Sequence, residues 1–118
     1  MRNFVEWLGR DLHCINECKM KYLYYLLQLP DDNRKLFLNY GNTQKAGGVD
    51  VGEYKVRAFG TAHGDAEQEV LEEIYVKHNL RPPASGRSMS VSDTVVLFGD
   101  ETEEGKIFFC DSIGFKEI

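Results

Sequence analysis

The 118-residue sequence is short of proline, with three, and of cysteine, also with three, and it has no apolar run long enough to cross a bilayer. Each shortage excludes something. A membrane-spanning helix needs about 20 consecutive apolar residues, so no membrane partner is expected. An odd number of cysteines argues against a disulfide framework and for a reducing compartment. Glu6 and Asp11 interrupt the apolar residues near the N-terminus, with no small-residue cleavage site after them. No secretory signal is therefore expected, and the expected location is the cytoplasm. Internal repeats, low-complexity segments and a Gly-x-Ser-x-Gly elbow are also missing.

Basic residues are scarce in one half of the chain. Residues 1–59 carry nine basic and seven acidic side chains, whereas residues 60–118 carry five and twelve. Such a half repels phosphate backbones and attracts basic protein surfaces. Direct nucleic-acid binding is not expected; a host protein with a basic surface is.

Seven Phe, six Tyr and one Trp supply the bulk for one ordinary core. Phe4, Val5, Leu8, Leu12 and Ile15 recur at helical spacing, giving an amphipathic helix of roughly three turns. Residues 20–29 are dense in Tyr and Leu and are stopped by Pro30; tyrosine content and length favour a buried strand, with a helix as the alternative that the leucines leave open. The alternation in residues 34–40 suggests a strand, and residues 41–48 a loop or helical turn. Residues 53–59 alternate as a half-buried strand, and residues 60–64 read as a connection.

Residues 65–79 form the clearest helix. Asp65 is placed to cap it, with Gln68 completing a capping box. Val70, Leu71, Ile74, Tyr75 and His78 make its buried stripe, and Glu73 is spaced to pair with Lys77. Arg81-Pro82-Pro83 ends it. Two β-rich runs, 94–98 and 107–110, flank an acidic turn and read as a hairpin, with a last short strand at 115–118. The fold class that follows is α+β: a mostly antiparallel sheet of four to five strands, one or two packed helices and a C-terminal β-hairpin. Residues 1–19 are read as an N-terminal helical extension and 20–118 as the domain, together one globular unit.

Ser88-Met89-Ser90-Val91-Ser92-Asp93 before Val95-Val96-Leu97, and then Phe109-Cys110-Asp111-Ser112-Ile113-Gly114-Phe115, resemble the signature of the YodL domain. Leu71-Glu72-Glu73-Ile74-Tyr75, Asn79-Leu80 and Tyr54 fit the same pattern, and the resemblance covers residues 20–118. It implies a small domain of Gram-positive mobile elements and phages with no enzymatic activity. Its founding type inhibits the actin-like filament of cell elongation. No catalytic residues are implied.

Ser88, Ser90, Ser92 and Asp93 invite comparison with a nucleophile cluster. A serine nucleophile needs a base within hydrogen-bond reach and a group to orient that base. His13, His63 and His78 occur in no hydrolase context, whereas Ser and Asp leading into a strand typically bond local backbone. Asp111, Ser112 and Gly114 read similarly as a turn. Cys14 and Cys18, four apart on a helix, with Cys110 from a strand, are candidate ligands for a structural zinc, a histidine completing the tetrahedron; buried free thiols are the simple alternative. Glu69, Glu72 and Glu73 on the helix and Asp100, Glu101, Glu103 and Glu104 at the hairpin tip are the candidate partner-binding carboxylates, placed to imitate a phosphate backbone; a solvated helix face with stabilising first-turn charges is the simple alternative.

The resulting expectation is a non-enzymatic inhibitor that binds a host protein through its acidic half and exposed aromatics, with a defence nuclease such as a CRISPR effector as the concrete target. The alternatives are an inhibitor of the actin-like elongation filament and a small serine hydrolase using Ser90 or Ser92.

Overall fold

The structure, a computed structural model, describes residues 20–99 and 104–118. Five strands form one antiparallel sheet: β1 (Met20–Gln28), β2 (Lys55–Gly64), β3 (Thr94–Gly99), β4 (Lys106–Cys110) and β5 (Phe115–Glu117), in the order β2-β1-β3-β4-β5. A short helix, α1 (Tyr40–Lys45), a single 3-10 turn (Val51–Glu53) and a long helix, α2 (Glu67–Leu80), complete the described elements. The α+β reading, the hairpin β3–β4 and the short last strand are all present.

β1 lies inside the sheet with β2 and β3 on its two edges, and its side chains alternate between the two faces of the sheet. Its even-numbered residues Tyr22, Tyr24 and Leu26 face α2, which contributes Val70, Leu71 and Ile74. Ala62, Val95, Leu97, Phe108 and Cys110 join them from the other strands, and Met89 closes the cluster. Period two along each strand and the 3,4 spacing along the helix thus meet in one core. Full burial of a Leu or Ile side chain here contributes about 1.5–3 kcal/mol.

The strand expected at residues 34–40 does not form. Asn33 takes the Lys35 amide on its side-chain oxygen at 2.8 Å, and Asn33, Leu36 and Leu38 donate backbone bonds back to Pro30, Asn33 and Lys35. These successive turns place Phe37 at φ 66°. Asn33 offers the chain a local alternative to a ladder. Lys35 is nonetheless buried, with its ammonium on Glu53 at 2.9 Å and on the Gly48 carbonyl at 3.0 Å.

Residues 60–64 are strand, not connection. β2 runs on to Gly64, opposite Met20. Gly60 lies over Tyr24, whose ring atoms are 3.4 Å from where a Cβ would stand. A side chain there would press on the tyrosine, so glycine keeps the strand close to its neighbour.

The helix start also differs from the capping box. Ala66 is the N-cap and makes no side-chain bond; Glu69 reaches back instead, accepting the Asp65 amide at 2.8 Å. Glu73 accepts the amide of His63 at 3.2 Å, and Lys77 stands over the Tyr24 ring, 5.6 Å from its centroid. Glu73 is therefore spent on β2 rather than on Lys77. Val70, Leu71, Ile74 and His78 are buried as the stripe required, but Tyr75 is 40% exposed. The helical extension expected over residues 1–19 lies outside the described residues.

Candidate interaction surface

The Ser-Asp run that leads into β3 is a structural joint. Asp93 is fully buried, and its Oδ2 accepts the Ser90 amide and the Gln28 side-chain amide, each at 2.9 Å. Gln28 is bound twice more to the backbone of Arg87, and Arg87 itself donates to the Leu29 carbonyl and to Asp31. Burial pushes the Asp93 carboxyl up to about 6, against the opposing pull of the Ser90 amide, Gln28 and Arg87. Ser92 sits at φ 84°; its hydroxyl accepts the Phe37 amide at 3.0 Å and its carbonyl accepts the Tyr54 hydroxyl at 2.7 Å. Burial, with Asp93 and Glu53 nearby, raises Tyr54 above the usual phenol range. The irregular segment 30–54 is thus fastened to the sheet by side chains no periodicity marks. Ser92, Asp93 and Tyr54 stood out in the sequence; Gln28, a lone amide inside an apolar run, was the further available signal.

The hydroxyl of Ser90 donates to the Ser88 carbonyl, and Nε2 of His78 lies 2.8 Å from the Tyr24 hydroxyl. His63 is exposed on β2. The polar elbow Asp111–Gly114 is likewise a turn. Asp111 Oδ1 accepts the amides of Tyr40 and Ser112, the Asp111 amide donates to the Gly114 carbonyl, and Gly114 takes φ 72°.

That elbow forms one wall of a groove of about 380 Å³. The opposite wall is α2, through Glu72, Tyr75 and Val76, and Val91 and Phe115 complete it. Tyr75 and Phe115 meet edge to face with centroids 6.5 Å apart. Val76 is 55% exposed and Ile113, in the elbow beside the groove, 92%. The groove therefore joins an aromatic floor to two carboxylates, Glu72 and Asp111. Reading Tyr75 as core hid it in the sequence.

The other candidate positions fall out separately. Glu69 and Glu73 are occupied by backbone amides, and Glu72 faces the groove. Glu104 is exposed at the base of the hairpin, where it shares a second hollow with Glu67; Glu67 pairs there with Lys106 at 2.9 Å. Asp100, Glu101 and Glu103 lie outside the described residues, as do Cys14, Cys18 and His13. Cys110 is buried in the core, its thiol pushed up to about 12 by burial and by Asp93 and Asp111. Among the described residues no three Cys, His, Asp or Glu side chains gather as metal ligands, and no helix is long and apolar enough to cross a membrane.

The model of the YodL-like domain family matches residues 21–118. The chain belongs to that family. The match takes in nearly all of β1 and the rest of the described fold, so the YodL-like domain here is the five-stranded sheet with α2, the Asp93 joint and the groove. No curated protein and no solved structure matches the chain. In this YodL-like domain the two family-like stretches have distinct tasks: the Ser-Asp run anchors the irregular segment, and the elbow at 111–115 shapes the groove.

Proposed function

We propose that this YodL-like chain is a non-enzymatic inhibitor that acts by binding a host protein with a basic surface. The groove between α2 and the 111–115 elbow carries the reading. Exposed aromatic and aliphatic side chains with carboxylates at their rim suit a partner that presents an apolar contact flanked by Lys or Arg. The serines support it from the other side, because Ser90 and Ser92 are engaged with backbone and Ser92 is fully buried. A defence nuclease such as a CRISPR effector is the target class that matches this charge, its basic channel occupied by carboxylates in place of phosphates. Action in the cytoplasm belongs to the same proposal.

Membership of the YodL-like family favours a second reading, inhibition of the actin-like elongation filament. The test begins with immobilised wild-type protein and a Glu72→Lys/Tyr75→Ala variant in a Gram-positive lysate, with retained proteins identified by mass spectrometry. A nucleic-acid enzyme held by wild type and lost by the variant supports the first reading. An actin-like filament protein held in its place, with rounded cells on expression, selects the second. Identical retention by both proteins removes the groove from either account.

A further inference from the structure

The groove between α2 and the elbow holds two carboxylates and no counter-charge. No basic side chain is among the described residues that line it. Glu72 makes no hydrogen bond or ion pair among the described residues. Asp111 spends Oδ1 on the amides of Tyr40 and Ser112, which leaves Oδ2 unpaired among the same residues. The lysines that follow groove residues in sequence are engaged elsewhere. Lys77, after Val76, stands over the Tyr24 ring at 5.6 Å, and Lys116, after Phe115, over the Tyr40 ring at 5.1 Å.

The remaining surface of the groove is aromatic and aliphatic. Glu72, Tyr75 and Val76 are three and four apart on α2, which puts them on one side of the helix. Tyr75 meets Phe115 edge to face, and Val76 is 55% exposed. The groove thus pairs ring surface with one carboxylate from the helix wall and one from the elbow wall.

We propose, building on the reading of this groove as the docking place, that its occupant is an arginine side chain of the partner. Carboxylates without a counter-charge select a cation, and the rings select one that stacks. A guanidinium meets both demands at once. It is planar, it stacks on an aromatic face, and its five N–H donors lie in one plane and point to more than one side. Its methylene stem suits the aliphatic surface of Val76 and Val91. A lysine ammonium is a compact, strongly hydrated point charge and gains less from the rings.

The test titrates isotope-labelled full-length protein with N-acetyl-arginine N-methylamide and follows the amide resonances by nuclear magnetic resonance. The blocked lysine is the second probe, and blocked citrulline, which keeps the shape of arginine without its charge, is the third. Arginine is expected to shift the amides of residues 72–76 and 111–115 saturably, with each of the other two probes binding at least ~3-fold more weakly. Glu72→Gln, which keeps the shape of the side chain, and Tyr75→Leu, which removes the ring, should each weaken arginine by a similar factor. Asp111 is left unchanged because it holds the turn.

A titration with no saturable shift in the groove overturns the proposal. So does lysine or citrulline binding as tightly as arginine, or arginine binding that neither substitution weakens. No host protein takes part in these titrations, so they can fail while lysate capture through the groove still upholds the proposed function. Saturable, arginine-selective binding combined with identical lysate retention by wild type and variant would support the arginine site and remove the host protein.

Discussion

The hydroxyl of Tyr24 in β1 lies 2.8 Å from Nε2 of His78 in α2, a buried polar contact that ties this strand to the last turns of the helix. Both side chains are almost fully buried. Tyr24→Phe leaves that ring nitrogen unpaired and is expected to lower the unfolding free energy by about 1–2 kcal/mol. Urea denaturation followed by circular dichroism measures it. Burial, then the neighbouring Lys77 charge, lowers the His78 pKa below its usual 6.5. The unfolded chain therefore takes up this proton first as the solution is acidified. Stability from His78 is present above about 6.5 and is lost as pH falls below it. His78→Phe should remove that part of the acid sensitivity.

Asp93 has the opposite sign. Its folded pKa of about 6 exceeds the ordinary 3.8, so the folded state holds the proton more tightly. The associated stability is complete below the ordinary value and is lost as pH rises through about 6, an effect of about 2–3 kcal/mol. Asp93→Asn keeps one oxygen to accept the Ser90 and Gln28 amides and should flatten the pH dependence in that window. Asp93→Ala leaves those donors unpaired and is expected to cost about 2–4 kcal/mol. A denaturation series across the window, wild type against both variants, separates the two effects.

Cys110 is expected to be chemically inert in the folded protein. Its thiol is buried and pushed up to about 12, so little thiolate forms at neutral pH. Iodoacetamide followed by peptide mapping should find Cys110 unmodified in native protein and modified in urea. Rapid native modification would contradict the packing described for β4.

Glu72 faces solvent and Tyr75 keeps an edge contact with Phe115, so changing both is expected to lower stability by about 0.5–1.5 kcal/mol and to leave the fold intact. Partner affinity should nevertheless drop at least ~10-fold in Glu72→Lys/Tyr75→Ala, equivalent to about 1.4 kcal/mol. The wild-type affinity should weaken as salt is raised, because the carboxylates contribute through exposed charge. Calorimetric titration with the identified partner at two ionic strengths checks both.

How much of this was legible in the residues differs element by element. The hairpin was readable because two apolar runs flank an acidic turn, and β1 was favoured over a helix by its tyrosines and its length before Pro30. Residues 34–40 misled, because Leu36 and Leu38 alternate while the Asn33 side chain directs the backbone into turns. The helix cap misled for a related reason: Asp65 is a good cap in isolation, but Glu69 reaches its amide from within the helix. Glycine at 60 looked like a break and instead lets β2 approach Tyr24. The groove was invisible because it needs Phe115 beside Tyr75, forty residues apart in sequence and brought together only by the sheet.

The most direct test of the proposed function places a photo-crosslinking phenylalanine derivative at position 75, in the groove, and separately at position 56, on exposed Val56 of β2. Each protein is illuminated in host cells and the adducts are identified by mass spectrometry. The account expects one host protein with a basic surface to be captured from position 75 and not from position 56. Capture from position 56 alone, or from neither position, would contradict it.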